Sequence, residues 1–221
     1  MQQNSLSKYV RSFSKYEGMV KKVFICFVLV FVLFHVIIYK VQYDRQIHLQ
    51  QQLAQKVLRF HVLANSNSVE DQTLKLQIRD AIGGYMQEML AGGVDKEESK
   101  QRIETHLSEI EEIAEEMLAN EGYDYKVSAS VTECEFPVKT YGDYTFPAGT
   151  YEALRVVIGE GAGENWWCVL YPNMCFENSI YEVVDEKAKN ALREVLNQEE
   201  YQAVLNSGKY EIRFRFLEWF R

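Results

Sequence analysis

The chain has 221 residues, 47% of them hydrophobic and 25% charged, with three prolines and a net charge of −8. The charge is segregated: residues 1–22 carry Lys8, Arg11, Lys15, Lys21 and Lys22 against Glu17, so the remainder carries −12. An acidic body argues against nucleic acid as a partner, because phosphate binding needs clustered Lys and Arg, and the apolar content argues against a disordered chain.

Behind the basic tail of residues 1–22, Val23 to Tyr39 reads VFICFVLVFVLFHVIIY, interrupted only by His35. A helix crossing the ~30 Å hydrocarbon core needs ~20 apolar residues, with about 17 as the lower limit. Val20 and Val41 lengthen the run. More cations precede it than follow it, which puts the N-terminus in the cytoplasm and the rest of the chain outside. A basic segment followed by an apolar one also opens a secretory signal peptide. This run exceeds the usual ~7–15 residues, and no A-x-A-like cleavage site follows closely. Residues 23–41 are therefore read as an uncleaved signal anchor in preference to a cleaved signal peptide. The Gln-rich residues 42–56 read as a helical or loose linker, and 57–221 as one extracytoplasmic domain large enough to bury its own core.

Val57 to Ala64 has strand character. Asn65-Ser66-Asn67-Ser68 is a turn cluster, and Ser68 with Asp71 fits the N-cap of a helix carrying Leu74, Ile78, Ala81, Tyr85 and Met89 at helical spacing. Gly83-Gly84 weakens that helix in the middle. A second helix is expected from about Asp95 to Asn120, with Ile103, Leu107, Ile110, Ala114 and Met117 on one face and a solvated acidic surface of Glu109, Glu111, Glu112, Glu115 and Glu116 on another. Tyr125 to Phe136 and Thr150 to Ile158 read as strands joined by a long ordered loop through Pro137, Gly142, Pro147 and Gly149. A glycine-rich turn, Gly159 to Gly163, leads to the short apolar stretch Asn165 to Leu170. Asp185 fits the cap of a helix through Ala188, Leu192 and Val195; a shorter helix covers Glu199 to Leu205, and a last strand runs from Tyr210 to Phe220. These elements describe an α+β fold: an N-terminal transmembrane helix, then one domain with a mostly antiparallel or mixed sheet and helices packed on it.

No HExxH, GxSxG, paired CxxC or EF-hand pattern occurs, and no metal or cofactor is expected. The glycine-rich turn lacks the Lys-Ser/Thr of a phosphate loop. Trp166-Trp167 reads either as buried packing or as an exposed aromatic platform for a protein partner. In an oxidising compartment Cys168 and Cys175 are candidates for a disulfide. The competing reading makes the chain an extracytoplasmic cysteine hydrolase, with Cys168 as nucleophile and His61 as base.

Two segments carry a resemblance. Arg59-Phe-His-Val-Leu-Ala-Asn-Ser-Asn67, continuing through Glu70-Asp71-Gln72 and Ile78-Arg79-Asp80, and Gly159-x-Gly161-x-Gly163-x-Asn165-Trp-Trp-Cys-Val-Leu-Tyr-Pro-Asn-Met-Cys175-Phe176 resemble the stage II sporulation protein R family. The similarity spans about residues 57–220. Asn67, Asn173 and Tyr171 depart from the family's common Asp, Pro and Phe. The resemblance implies a signalling protein with no catalytic residues of its own, exported from the forespore into the intermembrane space or held there by the forespore inner membrane. It would trigger a membrane-embedded aspartic protease that processes the mother-cell sigma factor precursor. Candidate partner-binding residues are His61, Asn65, Ser66, Asn67, Asp71, Asn165, Trp166 and Trp167, with the turn and the Trp-Trp-Cys segment forming one contact face.

Overall fold

The computed structural model describes residues 3–92, 95–174, 184 and 186–206. Cys175, the Asp185 cap and the expected last strand from Tyr210 lie outside the described residues.

Helix α1 spans Gln3–Lys56, and the chain divides into two units after His48. In the first unit the apolar side chains from Val23 to Val41 are exposed. By length and composition this is a helix able to cross a membrane, and a signal sequence meets the same description. Inside a helix every backbone group is satisfied, so only the side chains have to match an apolar surrounding.

The second unit opens with the last turns of α1. Leu53 is fully buried, and the Gln50 side chain donates to the Thr150 carbonyl at 2.7 Å. The C-terminal half of the Gln-rich linker therefore belongs to the domain, which begins at Leu49 rather than at residue 57.

The domain is α+β. Strands β1 (Leu58–Leu63), β2 (Val127–Phe136), β5 (Gly149–Ile158) and β6 (Asn165–Tyr171) form a mixed sheet in the order β2-β5-β1-β6. β1 pairs parallel to β5 and antiparallel to β6; β2 pairs antiparallel to β5. The parallel pair demands a long crossover, supplied by α2 (Val69–Met89), α3 (Lys96–Thr105) and α4 (Leu107–Asn120). Ser68 Oγ accepts from the Asp71 N–H and Asp95 from the Glu98 N–H, so α2 and α3 both start on side-chain caps. The single helix expected from Asp95 to Asn120 is two, broken at His106, whose ring contacts the Arg102 carbonyl at 2.7 Å and occupies an acceptor at the end of α3.

The acidic surface of α4 is only partly solvated. Glu111 accepts from the Ala129 N–H at 2.7 Å and Glu115 from the Val127 N–H at 3.1 Å, blocking the outer edge of β2 where an unpaired strand invites association. The expected long loop contains a hairpin, β3 (Lys139–Tyr141) and β4 (Tyr144–Phe146), which among the described residues pair only with each other. Helices α5 (Glu186–Val195) and α6 (Gln198–Asn206) follow β6, and Tyr201 of α6 meets Tyr144 of β4, hydroxyl to hydroxyl, at 2.5 Å.

Candidate functional site

The turn after β1 and the glycine-rich turn after β5 form one interlocked structure. The Ala64 and Asn65 carbonyls accept from Gly163 and Ala162 at 2.9 and 3.1 Å. Asn65 Oδ1 accepts from the Glu160 N–H at 3.0 Å, and Asn67 Oδ1 accepts from the Glu164 N–H at 2.7 Å. Asp71 closes the turn from below: one carboxylate oxygen accepts from Asn65 Nδ2 at 2.9 Å and from Ser66 Oγ at 2.5 Å. Burial pushes the Asp71 carboxyl up, but the hydrogen bonds from Ser66, Asn65 and Tyr125 outweigh it and hold the group below the usual carboxylate range.

The glycines exist for this approach. A Cβ on Gly163 would stand 2.2 Å from the Ser66 carbonyl oxygen, one on Gly159 2.3 Å from Asn65 Oδ1, and one on Gly161 2.6 Å from Val157 Cγ1. Asn65, Ser66, Asn67 and Asp71 thus spend their polar groups on the fold, and Gly159 and Gly163 leave the space that Asn65 and Ser66 need.

Beyond this lock, strand periodicity separates the other candidates. Side chains directly opposite one another in a sheet share a face, and neighbours along a strand do not. Val62 is paired with Trp166 and Phe60 with Cys168 on the face covered by α2. There Trp166 is buried edge-on to Phe60 at 5.5 Å, and the Arg79 guanidinium of α2 lies 5.0 Å from its ring centroid. His61 is paired with Trp167 on the opposite face, their rings stacked at 3.8 Å. The single contact face expected from the turn and both tryptophans is not assembled: Trp166 is core, and only Trp167 with Asn165 stands toward the other side.

The same alternation removes the cysteine–histidine dyad. His61 and Cys168 project from opposite faces of the sheet, and Cys168 is buried and already in a disulfide. Cys26 and Cys134 are free. Among the described residues no group of three or more His, Cys, Asp or Glu side chains is placed to hold a metal ion.

His61 is 6% exposed, and among the described residues neither ring nitrogen has a formed hydrogen bond. Burial pushes its pKa down to about 4; the nearby Asn165 side chain opposes the shift and the Arg155 charge adds to it. The imidazole is therefore neutral at physiological pH.

Arg59, next but one along the same face, was not singled out by sequence reasoning. It is fully buried, with no carboxylate beside it among the described residues. Its Nε donates to the Cys168 carbonyl at 2.9 Å and its Nη2 to Tyr141 Oη at 3.1 Å. The guanidinium carbon lies 4.3 to 5.9 Å from the ring centroids of Phe136, Tyr141, Phe146 and Tyr151, an aromatic enclosure closed by the β3–β4 hairpin. Desolvation lowers its pKa, with the two tyrosines opposing. An arginine in an apolar strand pattern gives no signal of this role, because its rings come from elements 77 or more positions away.

Against known proteins, the family model described as Stage II sporulation protein R matches residues 54–182. The Stage II sporulation protein R of Bacillus subtilis (strain 168) is 40% identical over 121 residues, 55% of this chain and 54% of the relative, so the match spans about half the length of each. No solved structure matches. The matched segment holds β1, the Asn65–Asn67 turn, the crossover helices, the glycine-rich turn and the Trp-Trp-Cys strand, and on that match the chain belongs to the stage II sporulation protein R family.

Proposed function

We propose that the protein is an intercellular sporulation signal: made in the forespore, carried to or across its inner membrane by the N-terminal helix, and presenting the α+β domain to the intermembrane space. There it binds a membrane-embedded aspartic protease and favours its active state, so that the protease removes the inhibitory segment of the mother-cell sigma factor precursor. A ligand shifts such an equilibrium only by its differential affinity for the two states. Family membership, with an apolar N-terminal helix ahead of the domain, is the observation that carries this reading.

The test is cleavage of the precursor in sporulating cells lacking the protein and complemented with the full chain. Cleavage that is lost without the chain and restored with it supports the reading; cleavage indifferent to the chain refutes it. Exporting the domain from Leu49 onward behind a cleavable signal then separates a diffusible signal from one that must stay anchored.

A further inference from the structure

The sheet face that carries His61 is covered unevenly. Its lower rows are buried under the β3–β4 hairpin, around Arg59 and Tyr151. Toward the C-terminal ends of β1 and β5, registered pairing lines up Ser130, Arg155, His61 and Trp167 across all four strands. The next row is Ser128, Val157, Leu63 and Asn165. Apart from His61, every side chain in these two rows is exposed or half-buried.

Three properties set these rows apart. Arg155 makes no ion pair and no hydrogen bond among the described residues, although this part of the chain carries a large negative net charge. Across β1 from it, Trp167 lies flat on His61 with Phe136 against its edge at 4.7 Å, an aromatic surface held in place by two rings. Among the described residues neither nitrogen of the imidazole under it has a formed hydrogen bond, with the Asn165 side chain nearby, although the ring is more than nine-tenths buried. Trp and Arg are among the side chains that dominate binding hot spots, and a Trp already packed in place costs little ordering entropy.

We infer that the row Ser130–Arg155–His61–Trp167 is the docking surface for the partner protein, taking a segment that sets a carboxylate on Arg155 and an apolar side chain on Trp167. The cation calls for an anion, and the ring and the half-buried Val157 and Leu63 call for an apolar neighbour. This surface rests on the signalling reading above and names the part of the domain that would meet the protease.

The experiment uses the full chain in sporulating cells, with a photo-crosslinking amino acid at exposed Ser128 beside the row, or at exposed Leu76 on α2 as the control. Precursor cleavage is followed in parallel in Arg155→Glu and Arg155→Lys. A protease adduct from Ser128 but not from Leu76 is expected, with Arg155→Glu slowing cleavage at least about tenfold and Arg155→Lys staying within about threefold of the parent. Overturning results are a protease adduct at Leu76 alone, a Ser128 adduct that is a dimer of this chain or a link to its own residues 207–221, or cleavage at the parent rate in Arg155→Glu. Where Arg155→Glu fails to accumulate, the adduct pattern decides. Cleavage that needs the chain but ignores Arg155→Glu sinks the surface and leaves the signalling reading standing; cleavage that does not need the chain sinks both.

Discussion

His61 shows how one side chain links pH to stability. Its folded pKa, about 4, lies below the ordinary 6.5 because the buried ring resists charging. The unfolded chain therefore binds the proton more readily between those values, so this group's contribution is fully present above about 6.5 and is lost as pH falls toward 4. The shift corresponds to about 3 kcal/mol at most. His61→Phe keeps the stack on Trp167 and removes the titration; denaturant midpoints of the parent should fall further than those of the variant between pH 7 and pH 4.5. Equal losses would show that the ring is wetter than its 6% exposure indicates. Two glycines make the complementary test. Gly163→Ala drives a Cβ into the Ser66 carbonyl and should destabilise by about 2–3 kcal/mol. Gly84→Ala, on an exposed position of α2 with nothing within 4 Å, should stabilise by about 0.5–1 kcal/mol. Thermal unfolding of both variants measures the contrast.

At the scale of elements, the turn after β1 is built by groups far apart in sequence. Asp71→Ala strands the Asn65 amide and the Ser66 hydroxyl, which should cost about 1–3 kcal/mol and loosen the glycine-rich turn together with the start of α2. Hydrogen exchange at Glu160 and Glu164, whose N–H groups end on Asn65 and Asn67, reports the loosening. The sequence shows Ser68 as a cap and Asn65 to Asn67 as a turn, because both signals are local. It does not show that Asn65 and Asn67 hold N–H groups 95 and 97 positions away. For the same reason the acidic row of α4 reads as solvated, although Glu111 and Glu115 close the edge of β2: a helical period says which residues share a face and nothing about what approaches it. The break at His106 escapes the pattern because Ile103 and Ile110 stay in phase across it.

For the molecule as a whole, the domain boundary decides how much of the long N-terminal helix the folded domain needs. Leu53 in the last turn of α1 is fully buried in the domain core, so Leu53→Ala should cost about 2–5 kcal/mol. A chain starting at Leu49 should unfold cooperatively at a higher temperature than one starting at Val57; equal melting temperatures would return the boundary to residue 57. The apolar helix, the alternation of helix and strand signals and the two family segments are all legible in the chain itself, because each depends on neighbours within a few turns or on residue types in fixed order. Strand order, the parallel pairing of β1 with β5, the burial of Arg59 among four rings and the separation of Trp166 from Trp167 were decided by tertiary structure. Periodicity assigns adjacent strand residues to opposite faces, but only packing determines which face is covered, by what, and which is left open.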